Sequence, residues 1–268
     1  MQTTLACLPI AMLGLVAALS PIIGQSARAA DIPKPVYKAA PAVVVTTWTG
    51  CYIGGQVGGA WSDTSWQYRN INPYNSIGPA GPILAANQDF DASSWIAGGQ
   101  VGCNYEFANR WVIGVEGSWT ATDLKQTKDN VVQIFAPSLQ SVTTEIKSIA
   151  TITGRLGYST DPAWLIYAKG GYARGRIETS GRTSPPMPGL DLDWDTSSWH
   201  NGWIIGGGVE YRLWRNVIVG VEYGYVRLNE KNHVGAVSGG AITAANQVEH
   251  GVDADIHSVV ARISYLFN

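Results

Sequence analysis

The stretch His257-Ser258-Val259-Val260-Ala261-Arg262-Ile263-Ser264-Tyr265-Leu266-Phe267-Asn268 decides the fold. From Val259 its odd positions run Val, Ala, Ile, Tyr, Phe, while the even positions from Ser258 run Ser, Val, Arg, Ser, Leu. A repeat of two with one apolar and one more polar face marks a half-buried strand, because successive side chains of a pleated chain point to opposite sides. An unpaired strand edge is a template for aggregation, so both edges of this strand need partners. A closed barrel supplies them, with this strand closing it and its apolar face turned to lipid.

The composition agrees with an environment other than water. Only 14% of the 268 residues are charged, against about 25% in soluble domains. Yet no apolar run approaches the roughly 20 residues a spanning helix needs; the longest covers residues 8–19. A membrane barrel reconciles the two, since its strands show lipid only alternate residues. The 11 Trp and 12 Tyr against 4 Phe suit membrane–water interfaces. A formal net charge of −2 offers no basic stripe and sets nucleic-acid binding aside.

Residues 1–29 read as a secretory signal, with an apolar centre over residues 8–19 and Ala27-Arg28-Ala29 as the cleavage site. Residues 30–46, with Pro33, Pro35 and Pro41, read as an extended periplasmic linker. The barrel is expected over residues 47–268. Within it, eight alternating segments fall at 48–61, 94–107, 110–120, 145–158, 164–174, 202–213, 216–226 and 258–267, each about the length a tilted strand needs to cross a bilayer. Three connections are short: 108–109, 159–163 and 214–215. Four are long and polar: 62–93, 121–144, 175–201 and 227–257. Strict alternation of long and short is the pattern of extracellular loops and periplasmic turns. The fold expected is therefore all-β: an eight-stranded antiparallel transmembrane β-barrel with four long extracellular loops and three short periplasmic turns.

Parity assigns the faces. Over residues 110–120, Trp111, Ile113, Val115 and Trp119 oppose Gly114, Glu116, Ser118 and Thr120. Over residues 216–226, Val217, Val219, Val221, Tyr223 and Tyr225 oppose Gly220, Glu222 and Gly224. A soluble barrel would turn its charges outward. Here charge shares a face with glycine, the face that must fit a narrow lumen. The interior charges on this assignment are Glu116, Arg155, Lys169, Glu210, Arg212, Glu222 and Arg262. An isolated buried ion costs several kcal/mol, so these are expected to pair into a nearly neutral network. Eight strands leave room for side chains and little more. A selective pore is the alternative use of the same charges.

Cys51 and Cys103 both face outward, in the first two segments. A hairpin symmetric about residue 77 sets them opposite each other, at a separation close to what a disulfide tolerates. A bridge formed in an oxidising periplasm and a pair of lipid-facing thiols are the two readings. Two cysteines are too few ligands for a metal. The histidines His200, His233, His250 and His257 fall in the long connections or at a strand end, near the outer rim. His257-Ser258 with Asp255 or Glu249 offers the residue types of an acyl-ester hydrolase. No G-x-S-x-G elbow accompanies them, and neither a cofactor nor a catalytic residue is expected.

Several strand motifs resemble a known family: Ala30-Asp31-Ile32-Pro33, Trp48-Thr49-Gly50-Cys51-Tyr52-Ile53-Gly54-Gly55, Thr153-Gly154-Arg155-Leu156-Gly157-Tyr158, Gly202-Trp203-Ile204-Ile205-Gly206-Gly207-Gly208-Val209-Glu210-Tyr211 and Val221-Glu222-Tyr223. They are similar to the small outer-membrane β-barrels of alphaproteobacteria, whose members are labelled outer-membrane immunogenic or "porin family" proteins. Cys51, where the family usually has an aromatic, and Asn268 after the terminal aromatic are departures. The resemblance implies a structural surface protein of the Gram-negative outer membrane that contributes to envelope integrity. Its implied partners are outer-membrane lipids and lipopolysaccharide and the barrel-assembly machinery, with peptidoglycan or periplasmic proteins as further candidates. A narrow porin passing small solutes is the first alternative and a lipid-modifying hydrolase the second.

Overall fold

The computed structural model describes residues 47–72, 88–135, 138–184, 193–238 and 247–267. The expected signal, the linker to residue 46 and Asn268 lie outside them. Eight strands run in chain order: β1 (Gly50–Asn72), β2 (Gln88–Glu106), β3 (Trp111–Phe135), β4 (Ser138–Asp161), β5 (Trp164–Ser184), β6 (Asp193–Arg212), β7 (Val217–Ser238) and β8 (Gln247–Phe267). Each pairs antiparallel with its neighbour, and β1 pairs with β8 to close the ring.

The strands are longer than the alternating segments that announce them. They run from 19 residues in β2 to 25 in β3, about twice the 9–11 residues a tilted strand needs to cross the hydrocarbon. Most of the four long polar connections is therefore strand. The physical reason is that the apolar face changes sides. Near the short turns, Ile113, Val115, Ile152 and Ile263 are exposed on the outer wall, as lipid requires. Further up, the outer wall carries Arg176, Glu178, Arg182, Asp253 and Asp255, while Val142, Ile146, Ile177, Val252 and Ile256 are buried within. That upper half has the pattern of a soluble barrel, apolar inside and polar outside. Register shifts at 146/148 in β4 and at 228/231 in β7 let single strands change inward parity along their length.

Aromatic girdles mark the membrane boundaries. Next to the short turns lie Trp111 against Tyr158 and Trp164 against Tyr211, with ring centroids 5.5 and 4.7 Å apart. On the far side Trp203 meets Tyr225 at 5.3 Å and Trp61 stacks on His257 at 5.8 Å.

Candidate functional site

The lumen is the candidate site, built in layers from the short-turn end. At the mouth, Trp48 is fully buried among Val112, Leu165, Ile218 and Leu266. It precedes β1 rather than opening it. Its backbone N–H donates to Glu106 Oε2 at 2.7 Å, and the Arg212 guanidinium lies 4.6 Å from its ring while donating to Thr47 O at 2.8 Å. The chain then swings into β1 through Gly50, whose φ of 146° is a region that L side chains rarely enter.

Above this lid sit six ions, one from each of β3 to β8: Glu116, Arg155, Lys169, Glu210, Glu222 and Arg262, all buried. Lys169 Nζ lies 3.0 Å from Glu116 Oε1 and 2.6 Å from Glu222 Oε1. Arg155 lies 2.7 Å from Glu210 and 3.5 Å from Glu116. Arg262 holds both Glu116 and Glu222. Two tyrosines complete the network in the same way. Tyr52 Oη donates to Glu116 Oε2 at 2.6 Å and accepts from Arg155. Tyr167 Oη donates to Glu222 Oε2 at 2.5 Å and accepts from Arg262 at 3.0 Å. The Arg155 guanidinium also lies 3.9 Å from the Tyr167 ring centre. Three carboxylates against three cations leave no net charge, the condition under which low dielectric strengthens a network rather than penalising it. Inward glycines make room: a Cβ at Gly102 would meet Tyr52 Oη at 2.5 Å, and one at Gly208 would meet Tyr167 Oη at 2.8 Å.

Of the seven charges read as interior, the structure joins six and sets Arg212 apart, at the mouth with the Thr47–Trp48 segment. Its two terminal nitrogens donate to Thr47 O and Arg215 O. Tyr52, Tyr167 and Trp48 are members that a search for charges passes over, although each has the inward parity of its neighbours.

A cavity of about 40 Å³ follows, lined by Lys169 and Glu222 below and by Ile96, Ile204, Ile256 and Val260 above. It has room for little more than a water. An apolar layer including Trp66, Phe90, Leu124, Ile146, Trp194 and Leu228 then fills the lumen. At its top, His200, His233 and His250 point inward and are fully buried. These three belong to strands β6, β7 and β8 and not to loops, a correction that follows from the extended strands.

Cys51 and Cys103 are direct partners in the β1–β2 ladder, and their sulfurs are joined in a disulfide on the outer wall. His257 and Ser258 part company because adjacent strand residues face opposite sides. His257 stands on the outer wall, its Nδ1 2.8 Å from Tyr223 Oη, while Ser258 turns inward and Asp255 accepts from Tyr225 at 2.7 Å. The hydrolase constellation is not assembled. Among the described residues no group of three or more His, Cys, Asp or Glu side chains is arranged to hold a metal.

A family model described as the outer membrane protein beta-barrel domain matches residues 36–264. The 31 kDa outer-membrane immunogenic protein of Brucella melitensis is 25% identical over 230 residues, covering 82% of this chain and 88% of that protein. The 25 kDa outer-membrane immunogenic protein of Brucella abortus is 29% identical over 204 residues, covering 75% of this chain and 74% of its own. Among solved structures, the outer membrane protease OmpT of Escherichia coli aligns at 8% identity with a TM-score of 0.49, covering 81% of this chain and 97% of that one. The match reaches from before the described residues to within the closing strand, and the site of action is the outer membrane of a Gram-negative cell.

Proposed function

This chain belongs to the outer membrane protein beta-barrel domain family, and from that premise we propose that it is a plugged structural barrel. It strengthens the outer membrane and presents a tall polar wall above it, and it does not conduct solutes. The observation that carries the reading is the filled lumen: the Trp48 lid, six paired ions and an apolar layer lie in series along one axis. A porin interior is polar and water-filled, with space left between side chains. Here the space between the ionic and apolar layers is about 40 Å³.

The wall above the outer girdle suits the headgroup layer of lipopolysaccharide. Arg174 stands 5.1 Å from the Trp199 ring, and Lys231 Nζ donates to Trp199 O at 3.0 Å. Two cations around an interfacial tryptophan match a surface of phosphates over acyl chains. The relatives named as immunogenic proteins agree with a wall displayed outward.

Single-channel recording tests the reading. Refolded protein in planar bilayers should give no discrete conductance steps at neutral pH, and a strain lacking the protein should admit more detergent until the wild-type gene is restored. Reproducible steps that shift with Glu116→Gln or Arg262→Gln would transfer the function to the porin class.

A further inference from the structure

An interruption in the barrel wall coincides with its most unusual side-chain cluster. Pairing between β6 and β7 lapses between Trp194↔Val237 and Gly202↔Leu228, so residues 195–201 have no β7 partner in the ladder. The β2–β3 seam stops at Ile96↔Thr122, and the remaining seams are continuous or shift by a few residues at most. Side chains do the bridging instead. His200 Nδ1 lies 3.1 Å from Asn229 O, His200 Nε2 lies 2.7 Å from His233 Nε2, and Lys231 Nζ donates to Trp199 O. The chain of contacts continues inward through Thr179 Oγ1, which is 3.5 Å from His233 Nδ1 and 2.8 Å from His250 Nε2.

One carbonyl fixes all the protons. Asn229 O can only accept, so Nδ1 of His200 carries hydrogen and its Nε2 must accept from His233 Nε2. His233 Nδ1 then accepts from the Thr179 hydroxyl, whose oxygen accepts from His250 Nε2. This assignment satisfies each contact with three neutral imidazoles and leaves His250 Nδ1 a bare acceptor, buried and without a partner. His200 and His250 address opposite nitrogens of His233, so the three form a relay and do not converge on a point where a metal could sit.

A proton added at His200 Nε2 sets two donors face to face across the contact with His233, and one added at His250 Nδ1 makes a buried cation whose new N–H has no acceptor. Among the described residues, no carboxylate acts on His200, His233 or His250. The inward neighbours are Thr179 from β5, Trp194 from β6 and Trp66 from β1. The charged group that acts on His200 and His233 is Lys231, itself a cation. The carboxylates on the flanking strands face the outer wall, where Glu178 meets Arg176, Asp195 meets Arg182 and Glu249 meets Asn232; Glu230 is exposed there too.

We propose that the upper β6–β7 seam is a latch, closed at neutral pH by the His200–His233–Thr179–His250 relay and opened by acid, while the ionic layer below stays shut. The relay lies beyond the outer girdle, in the polar-walled half of the barrel. Burial holds His200 below the usual histidine range, His233 at about 4 and His250 at about 3. In an opened, hydrated seam the same rings titrate near 6.5. Closure is therefore fully favoured above that value and loses up to tenfold per imidazole for each pH unit below it, until the closed-state values are reached. At pH 5 that amounts to roughly 30-fold for each of His233 and His250, or about 10³ together.

The test places nitroxide labels at Ser197 and Val234, which face outward on either side of the seam, in protein refolded into phosphatidylcholine vesicles. Electron paramagnetic resonance should read a single short distance at pH 7.5 and a growing longer component between pH 6.5 and 4. His233→Gln, which cannot be protonated in this range, should flatten that response. A distance that is unchanged down to pH 4, or a His233→Gln protein that opens in the same way, overturns the latch. If the variant does not fold, imidazole NMR titration of the wild-type chain decides: rings at His233 and His250 that protonate near 6.5 without any change in distance are equally fatal.

Discussion

Replacing Glu116 with glutamine keeps its shape and leaves three buried cations facing two carboxylates. Glu116 receives Lys169 at 3.0 Å, Tyr52 at 2.6 Å and Arg262, and all four side chains are shielded from solvent. Breaking a buried ion pair by removing one partner costs about 3–5 kcal/mol, because the other charge is stranded in low dielectric. Lys169→Met strands the opposite sign and should cost a similar amount. Making both changes restores balance, with Glu210 and Glu222 against Arg155 and Arg262. The double variant should then recover at least about half of the summed loss, a coupling of roughly 3 kcal/mol or more. Guanidinium unfolding in lipid vesicles, followed by tryptophan fluorescence, gives all four corners of the cycle. Additive losses, with the double variant as damaged as the sum of the two, would mean that the ions act separately and that charge balance does not hold the lumen together.

Two further outcomes follow from the same geometry. The Cys51–Cys103 bridge closes a sequence separation of 52 residues, which in the chain-entropy account contributes up to about 4 kcal/mol; Cys51→Ala/Cys103→Ala should unfold at a lower guanidinium midpoint, and an unchanged midpoint would count against that contribution. Gly102→Ala sets a methyl 2.5 Å from Tyr52 Oη and 2.6 Å from Val115 O, a crowding that should cost about 1–3 kcal/mol and lower the temperature at which the heat-modifiable gel band shifts. A band that shifts at the wild-type temperature would show that the tyrosine ring yields freely.

The membrane half of the barrel was legible because lipid imposes one rule on all eight strands. Trp111, Ile113 and Val115 declare the outer wall, and Glu116 next to them can only face inward. The upper half obeys the reverse rule. Residues such as Val252, Ala254 and Ile256 alternate with Asp253, Asp255 and His257 as regularly as any lipid-facing run. Read for an apolar outer face, they look like polar loop. The parity of His200 and His250 can still be followed: each keeps the even numbering of Ile204 and Glu210, or of Val260 and Arg262. His233 cannot be reached that way, since the shift between Leu228 and Lys231 moves the inward positions of β7 from even to odd. Arg212 shares the inward parity of Glu210, and what separates it from the other ions is the Thr47 carbonyl, a backbone group that no side-chain pattern records.

The closing strand carries one of the six lumenal ions. Glu116, Arg155, Lys169, Glu210 and Glu222 all leave the ribosome before Arg262, which belongs to the final strand. A seven-stranded intermediate would hold three carboxylates against two cations, an electrostatic vacancy shaped for a guanidinium between Glu116 and Glu222. Arg262 supplies the third cation from β8, the strand whose pairing with β1 closes the ring. The polar interior thus rewards completion of the barrel over any shorter assembly.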